Sequence, residues 1–147
     1  MRFLIRLALV TLTIALQACA AGQVDIEDLD MPVIDLHKAI SEALPVKERG
    51  QSPSGREIKS VYFIQKKGEF IESEGSPTRM FIHIAILNDR RPYTLRVEVP
   101  VETRVSEGRY EIDHNDEGLA RVISRRIQKV LHERRDNRNA IDDFRVF

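Results

Sequence analysis

The sequence contains a single cysteine, Cys19, so no disulfide can form within the chain. A chain without disulfides depends on its apolar core for stability, and 147 residues are enough to build one such core. Because there is no Trp and only six Phe and three Tyr, we expect that core to be mainly aliphatic. The balance of 42% hydrophobic and 31% charged residues is typical of a folded globular domain and not of a disordered chain.

Apolar and polar residues alternate along the middle of the chain, which indicates β-strands. The alternation is clearest in Tyr93–Val101, whereas Arg79–Leu87 is largely apolar on both faces. Further strands are predicted at Ile58–Gln65, at Glu69–Glu72 and near Arg109–Ile112. Pro100 has no N–H to donate, so its strand should either be an edge strand or end there.

Two other segments have the apolar spacing of helices. Met31–Leu44 is the first, and Pro45 stops it. The second is near the C-terminus, where an apolar stripe is formed by Leu119, Val122, Ile123, Ile127, Val130 and Leu131. We therefore predict an α+β fold: an antiparallel sheet of about four strands with an N-terminal and a C-terminal helix packed on one face.

The N-terminus has the composition of an export signal. Arg2 and Arg6 are followed by an uncharged run of ten residues, Leu7–Leu16, and then by Gln17-Ala18-Cys19. An apolar run this short does not span a bilayer core, which takes roughly 20 helical residues. The segment resembles the signal peptide of bacterial lipoproteins, whose lipobox is a Leu, two mostly small residues and a Cys; here it reads Leu16-Gln17-Ala18-Cys19.

This resemblance implies that Cys19 is lipidated and becomes the first residue of the mature protein. In that family an Asp after the Cys favours the inner membrane, so Ala20-Ala21 implies the outer membrane, with the domain facing the periplasm. Ala18-Cys19-Ala20 also fits ordinary secretory cleavage, which would release a soluble periplasmic protein beginning at Ala21. The predicted organisation is a signal peptide at 1–18, a lipidated Cys and acidic tether at 19–31, and one small domain at 32–147.

A basic stripe is predicted on the C-terminal helix. Arg121, Arg125, Lys129 and His132 recur at i, i+4, i+8 and i+11, with His132 near the predicted end of the helix. Export argues against a nucleic-acid partner, so the candidates are anionic lipids, glycans such as lipopolysaccharide, or an acidic protein surface. Alternatively, the basic stripe has no binding role and is simply the solvent-exposed face of the helix.

No motif in the sequence identifies a reaction. The serine-hydrolase elbow, the HExxH motif and the phosphate-binding glycine patterns are missing, and lipidation would leave no free thiol. A hydrolase or metal enzyme would have to be built around His83 or His114. A sheet-surface histidine and an Asx-rich helix cap explain these two residues without any chemistry. We therefore predict no catalytic residue, no metal and no cofactor.

Three hypotheses for function follow, in order of preference. The first is a membrane-anchored lipoprotein that serves a cell-envelope complex as a non-catalytic accessory or assembly factor, through a protein partner. The second is a periplasmic module that binds an anionic lipid or glycan through the basic stripe. The third is a small hydrolase or metal enzyme.

The anchor gives the first testable prediction. Mass spectrometry of the mature N-terminus should show a lipid-modified Cys19, and Cys19→Ser should move the protein from the membrane fraction to the soluble fraction, because two or more acyl chains are needed for stable anchoring. An unmodified N-terminus at Ala21 would contradict the lipobox and support secretory cleavage.

Overall fold

The computed structural model describes residues 22–143, and the side chains of residues 22–136. The predicted signal peptide, Cys19 and the last four residues lie outside this range, so lipidation of Cys19 stays a prediction.

Two antiparallel sheets and two helices make up the described fold. The elements are, in order, β1 (Gln23–Leu29), α1 (Val33–Ala43), β2 (Glu48–Gln51), β3 (Glu57–Ser60), β4 (Phe63–Lys66), β5 (Glu69–Glu72), β6 (Thr78–Met80), β7 (His83–Leu87), β8 (Tyr93–Glu98), β9 (Pro100–Ser106), β10 (Arg109–Asn115) and α2 (Glu117–Asp143). Sheet A has the strand order β1-β8-β7-β3-β2, and sheet B has the order β10-β9-β6-β4-β5. The predicted α+β class, antiparallel pairing and two helices are confirmed.

The prediction of a single sheet of about four strands is wrong, because three of the predicted strands each pass through both sheets. The segments predicted at 58–65, 79–87 and 93–101 are each interrupted once, between β3 and β4, β6 and β7, and β8 and β9. In every case the first half and the second half pair in different sheets. A shared bend in three neighbouring strands therefore divides one predicted sheet into two, and two further strands complete each of them.

Ser60 supplies hydrogen bonds at this bend. It is fully buried, and its hydroxyl accepts a hydrogen bond from the Ile82 N–H at 2.8 Å. The same hydroxyl donates to the carbonyl oxygen of Val61 at 2.8 Å, and the Ser60 N–H donates to the Ile82 carbonyl at 2.9 Å. A bend leaves backbone groups without regular ladder partners, and an unpaired buried N–H is costly. The hydroxyl satisfies one such group inside the fold.

Pro100 lies at the same bend on the next strand. β8 ends at Glu98 and β9 begins at Pro100, which agrees with the prediction that the strand ends there. The Pro100 carbonyl accepts a hydrogen bond from the Phe81 N–H at 3.3 Å. A proline at this position removes no ladder donor, because the ladder is already interrupted.

One core lies between sheet A and the helices. It is mainly aliphatic, as predicted: Phe63 is the one aromatic residue in the cluster of fully buried side chains within the described range. α2 packs on β1, β8 and α1. Its buried residues include Leu119, Ile123, Ile127 and Leu131, whereas Val122, predicted in the same stripe, is 43% exposed.

Residues 23–29 form strand β1 instead of part of the predicted acidic tether. Ile26 and Leu29 are buried in the core. On the opposite face, the Arg96 guanidinium donates two hydrogen bonds of 3.0 Å to the Asp25 carboxylate. This hydrogen bonding raises the pKa of Arg96 above its ordinary value. Some of the acidic residues that suggested a solvated tether, such as Asp25, therefore lie on the outer face of an edge strand. The described fold begins before residue 32, the predicted start of the domain.

The bend gives a stability prediction. Ser60→Ala should lower the free energy of unfolding by about 1–3 kcal/mol, because it leaves the buried Ile82 N–H without its acceptor. Urea denaturation followed by circular dichroism measures this change. Ser54→Ala, in an exposed loop, is the matched control and should stay within about 0.5 kcal/mol of the wild type. Equal effects of the two substitutions would contradict the role given to Ser60.

Candidate functional site

Three groups of side chains on the described surface have the composition of a functional site. They are a histidine cluster on sheet A, the basic face of α2, and a stack of arginine and tyrosine side chains on sheet B.

The histidine cluster lies on the face of sheet A that points away from the helices. His83 Nδ1 is 3.1 Å from Glu98 Oε2, and His83 Nε2 is 3.6 Å from Glu57 Oε2. Glu98 is directly opposite His83 in the register of β7 and β8. The imidazole is 22% exposed, and its Nε2 atom is buried without a hydrogen-bond partner. His83 is thus held between two carboxylates.

This arrangement contains only part of a catalytic site. A histidine oriented by a carboxylate is the base of many nucleophilic mechanisms, and His83 with Glu98 has that form. The second ring nitrogen, however, faces Glu57 and not a hydroxyl or thiol that it could activate. A neighbouring cleft of about 260 Å³ is lined by Arg49, Lys59 and Glu57 among other residues. An ion-pair cluster describes His83 better than a nucleophile–base pair.

His114 is in an open environment. Its side chain is 59% exposed on β10, and its Nδ1 lies 3.0 Å from the carboxylate of the adjacent Asp113. The helix cap is Asp116, whose side chain accepts a hydrogen bond from the Leu119 N–H at 2.9 Å. Within residues 22–136, no group of three or more His, Cys, Asp or Glu side chains is arranged to hold a metal ion.

The four residues of the predicted basic stripe are all exposed on α2. Three of them have a carboxylate partner on the same helix: Arg121 contacts Glu117, Lys129 is 3.9 Å from Glu133, and His132 is 3.4 Å from Asp136. Arg125 has no carboxylate within 4 Å in the described part of the chain. The helix continues to Asp143, so His132 lies inside it and not near its end.

Two clefts border this stripe, one between α2 and α1 and the other between α2 and β1. Lys129 lines a cleft with Glu42 and Ala43 of α1. His132 lines a different cleft with Ile26 and Leu29 of β1, and Arg135 joins it there. The predicted stripe therefore lies between these two clefts, with Lys129 towards α1 and His132 towards β1.

The stack on sheet B was not predicted from the sequence. The guanidinium carbon of Arg79 lies 3.5 Å from the ring centroid of Tyr62 and 3.5 Å from that of Tyr110. Arg49 lies 4.5 Å from the centroid of Tyr62, and Arg104 lies 5.4 Å from that of Tyr110. Cations and rings thus alternate in the order Arg49, Tyr62, Arg79, Tyr110, Arg104, which we call the arginine–tyrosine ladder.

Hydrogen bonds hold the ladder in place. Arg79 Nε and Nη2 both lie 2.9 Å from Glu102 Oε2, and Arg79 Nη1 donates to the Glu74 carbonyl at 2.9 Å. The Arg79 and Glu102 side chains are only 14% and 13% exposed. Arg104 donates to the Tyr110 hydroxyl at 2.8 Å. The rings and guanidinium groups are therefore fixed before any partner binds.

Exposed apolar side chains flank the ladder on the same face of the sheet. Ile71 is 41% exposed and pairs with Ile64, two residues beyond Tyr62. Ile112 is 61% exposed and lies opposite Glu102, the partner of Arg79. We call the ladder together with Ile71 and Ile112 the ladder face.

Comparisons with protein-family models, with curated proteins and with solved structures found no match to this chain. Among the described residues, no helix is both long and apolar enough to cross a membrane.

The ladder gives a second stability prediction. Arg79→Ala should lower the free energy of unfolding by about 2–4 kcal/mol, because it removes two cation–π contacts and leaves the Glu102 carboxylate unpaired. Arg79→Lys should recover only part of this loss, because an ammonium group is not planar and can neither stack on the tyrosine rings nor bind the carboxylate through two nitrogens. The control is Arg109→Ala, which breaks an exposed ion pair with Glu111 and should cost less than about 1 kcal/mol in the same urea titration. Full recovery with lysine would contradict the stacking role.

Proposed function

We propose that this protein is a lipid-anchored periplasmic lipoprotein that acts as a non-catalytic accessory or assembly factor of a cell-envelope complex. In this proposal Cys19 carries the lipid, the outer membrane holds it, and the ladder face binds the protein partner. Soluble export, with an N-terminus at Ala21, is the alternative for location only.

The ladder face is the observation that carries the proposal. Tyr and Arg are the residues most enriched, with Trp, at the energetic centres of protein–protein interfaces. A rigid aromatic side chain also loses little conformational entropy on binding. Here both residue types are already ordered by mutual stacking and by hydrogen bonds to Glu102 and Glu74. Two exposed isoleucines beside them, Ile71 and Ile112, provide apolar area for a partner to bury.

The surroundings of His83 support a role without catalysis. Its ring lies between Glu98 and Glu57, so neither ring nitrogen faces a hydroxyl or thiol that it could activate. His114 is exposed and contacts only the adjacent Asp113 in the described range. These surroundings favour the ladder face on sheet B, and not either histidine, as the place where a partner binds.

Site-specific photocrosslinking in cells tests the proposal. A photoreactive residue in place of Ile71 should capture one envelope protein, identified by mass spectrometry. The same residue in place of Val105 is the matched control, because Val105 is 47% exposed on the opposite face of the same sheet.

A charge substitution then tests the surface itself. Ile112→Glu should reduce the yield of the Ile71 crosslink roughly tenfold or more, since a hot-spot change costs about 2 kcal/mol or more. Val105→Glu should leave the yield unchanged. A monomer without a crosslink at position 71, or equal loss with both glutamates, would contradict the proposed interface.

A further inference from the structure

The place where the chain enters the fold is fixed by close packing. β10 ends at Asn115, opposite Pro100, and β1 begins at Gln23, opposite Glu98, so the two strands lie end to end along one edge of the molecule. Gly22 is at this junction with φ +92°, and a Cβ added there would come within 2.5 Å of the Asn115 Cβ. Only glycine fits this position. Gly22, the first residue that the structure describes, therefore lies beside the start of α2.

Very little chain separates Gly22 from the proposed lipid on Cys19. Three peptide links join Cys19 to Gly22, and even fully extended they span at most about 11 Å. A headgroup layer is itself roughly 5–8 Å thick. If Cys19 carries acyl chains, the end of the fold at Gly22, where β1, β10 and the start of α2 meet, must lie close to the headgroups.

α2 starts beside Gly22 and places a line of mainly basic side chains along the same edge. Arg121, Arg125, Gln128, His132 and Arg135 recur at i, i+4, i+7, i+11 and i+14, which is one line along an α-helix. Gln128, His132 and Arg135 line the cleft beside Ile26 and Leu29, so this line borders β1. We call these five residues the β1-side stripe. Neither Arg125 nor Arg135 has a carboxylate within 4 Å among the described residues.

Acidic side chains on the same edge decide which way the domain turns about its anchor. Glu27 and Asp28 of β1 and Asp113 of β10 are exposed. An anionic surface repels these carboxylates and attracts the arginines of the stripe, at close range within a Debye length. These charges favour an orientation in which the basic side of α2, and not the acidic outer faces of β1 and β10, meets the bilayer.

We propose that the β1-side stripe lies on the anionic phospholipid headgroups of the bilayer that holds the Cys19 lipid. This inference rests on the lipidation proposed above. It assigns the cationic side of α2 to the membrane and leaves the ladder face for the protein partner.

Fluorescence quenching of the full lipidated chain tests this orientation. A fluorophore is attached to a cysteine introduced by Gln128→Cys, and the protein is placed in phosphatidylethanolamine vesicles with or without phosphatidylglycerol, both containing nitroxide-labelled headgroups. The fluorophore should be quenched strongly only when phosphatidylglycerol is present. The same fluorophore on Glu69→Cys, an exposed position at the start of β5, should stay bright in both vesicles.

Charge variants separate the stripe from general electrostatics. Arg121→Gln, Arg125→Gln and Arg135→Gln together should abolish more than half of the quenching at position 128. Lys66→Gln, Lys67→Gln and Arg90→Gln together remove the same charge from exposed positions elsewhere and should leave the quenching intact. Far-UV circular dichroism establishes that both triple variants are folded.

The possible failures are distinguishable. A chain whose mature N-terminus carries no lipid overturns both this inference and the proposed anchor. A lipidated, vesicle-bound chain whose quenching at position 128 is independent of phosphatidylglycerol, or is unchanged in the stripe variant, overturns the orientation alone.

Discussion

The bend shared by three strands is the constraint on which the rest of the structure depends. At this level the strands stop pairing in sheet A and begin pairing in sheet B, and the buried Ser60 hydroxyl satisfies backbone groups that the break exposes. Sheet A can then close over the helices to form the core. Sheet B contributes Phe63 to the same core, and its opposite face carries polar and aromatic side chains.

The arginine–tyrosine ladder follows from the bend. Tyr62 lies between β3 and β4, at one of the interruptions, and Phe81 lies between β6 and β7, at another. The two rings meet edge to face at 5.7 Å. Arg49 reaches Tyr62 from β2 of sheet A, whereas Arg104 and Tyr110 belong to sheet B. The ladder therefore links the two sheets across the bend, with Arg49 and Arg104 exposed at its ends and Arg79 largely buried between the two rings.

Local sequence patterns were sufficient to predict most strands and both helices, but not how the strands are arranged in sheets. Alternation located the strand halves, and Pro100 located one end of a strand, because both depend on a single segment. The division into two sheets depends on hydrogen bonds between Ser60 and Ile82, 22 residues apart, which no single segment encodes. The ladder likewise joins side chains from separate strands. Their alignment could be predicted only if the pairing register of those strands were known. The acidic composition of residues 20–31 concealed β1, since the partner of Asp25, Arg96, lies 71 residues further along the chain.

The end-to-end junction of β10 and β1 also determines how mechanical load would enter the protein. A pull on Cys19 would act at Gly22 on a strand whose Ile26 and Leu29 are packed in the core, not on a loop. β1 pairs with β8 without interruption from Gln23 to Ile26, and a register shift separates this run from the last pair, Leu29 with Tyr93. If Cys19 is the anchor proposed above, a force between the membrane and a partner on the ladder face would load these pairings in shear.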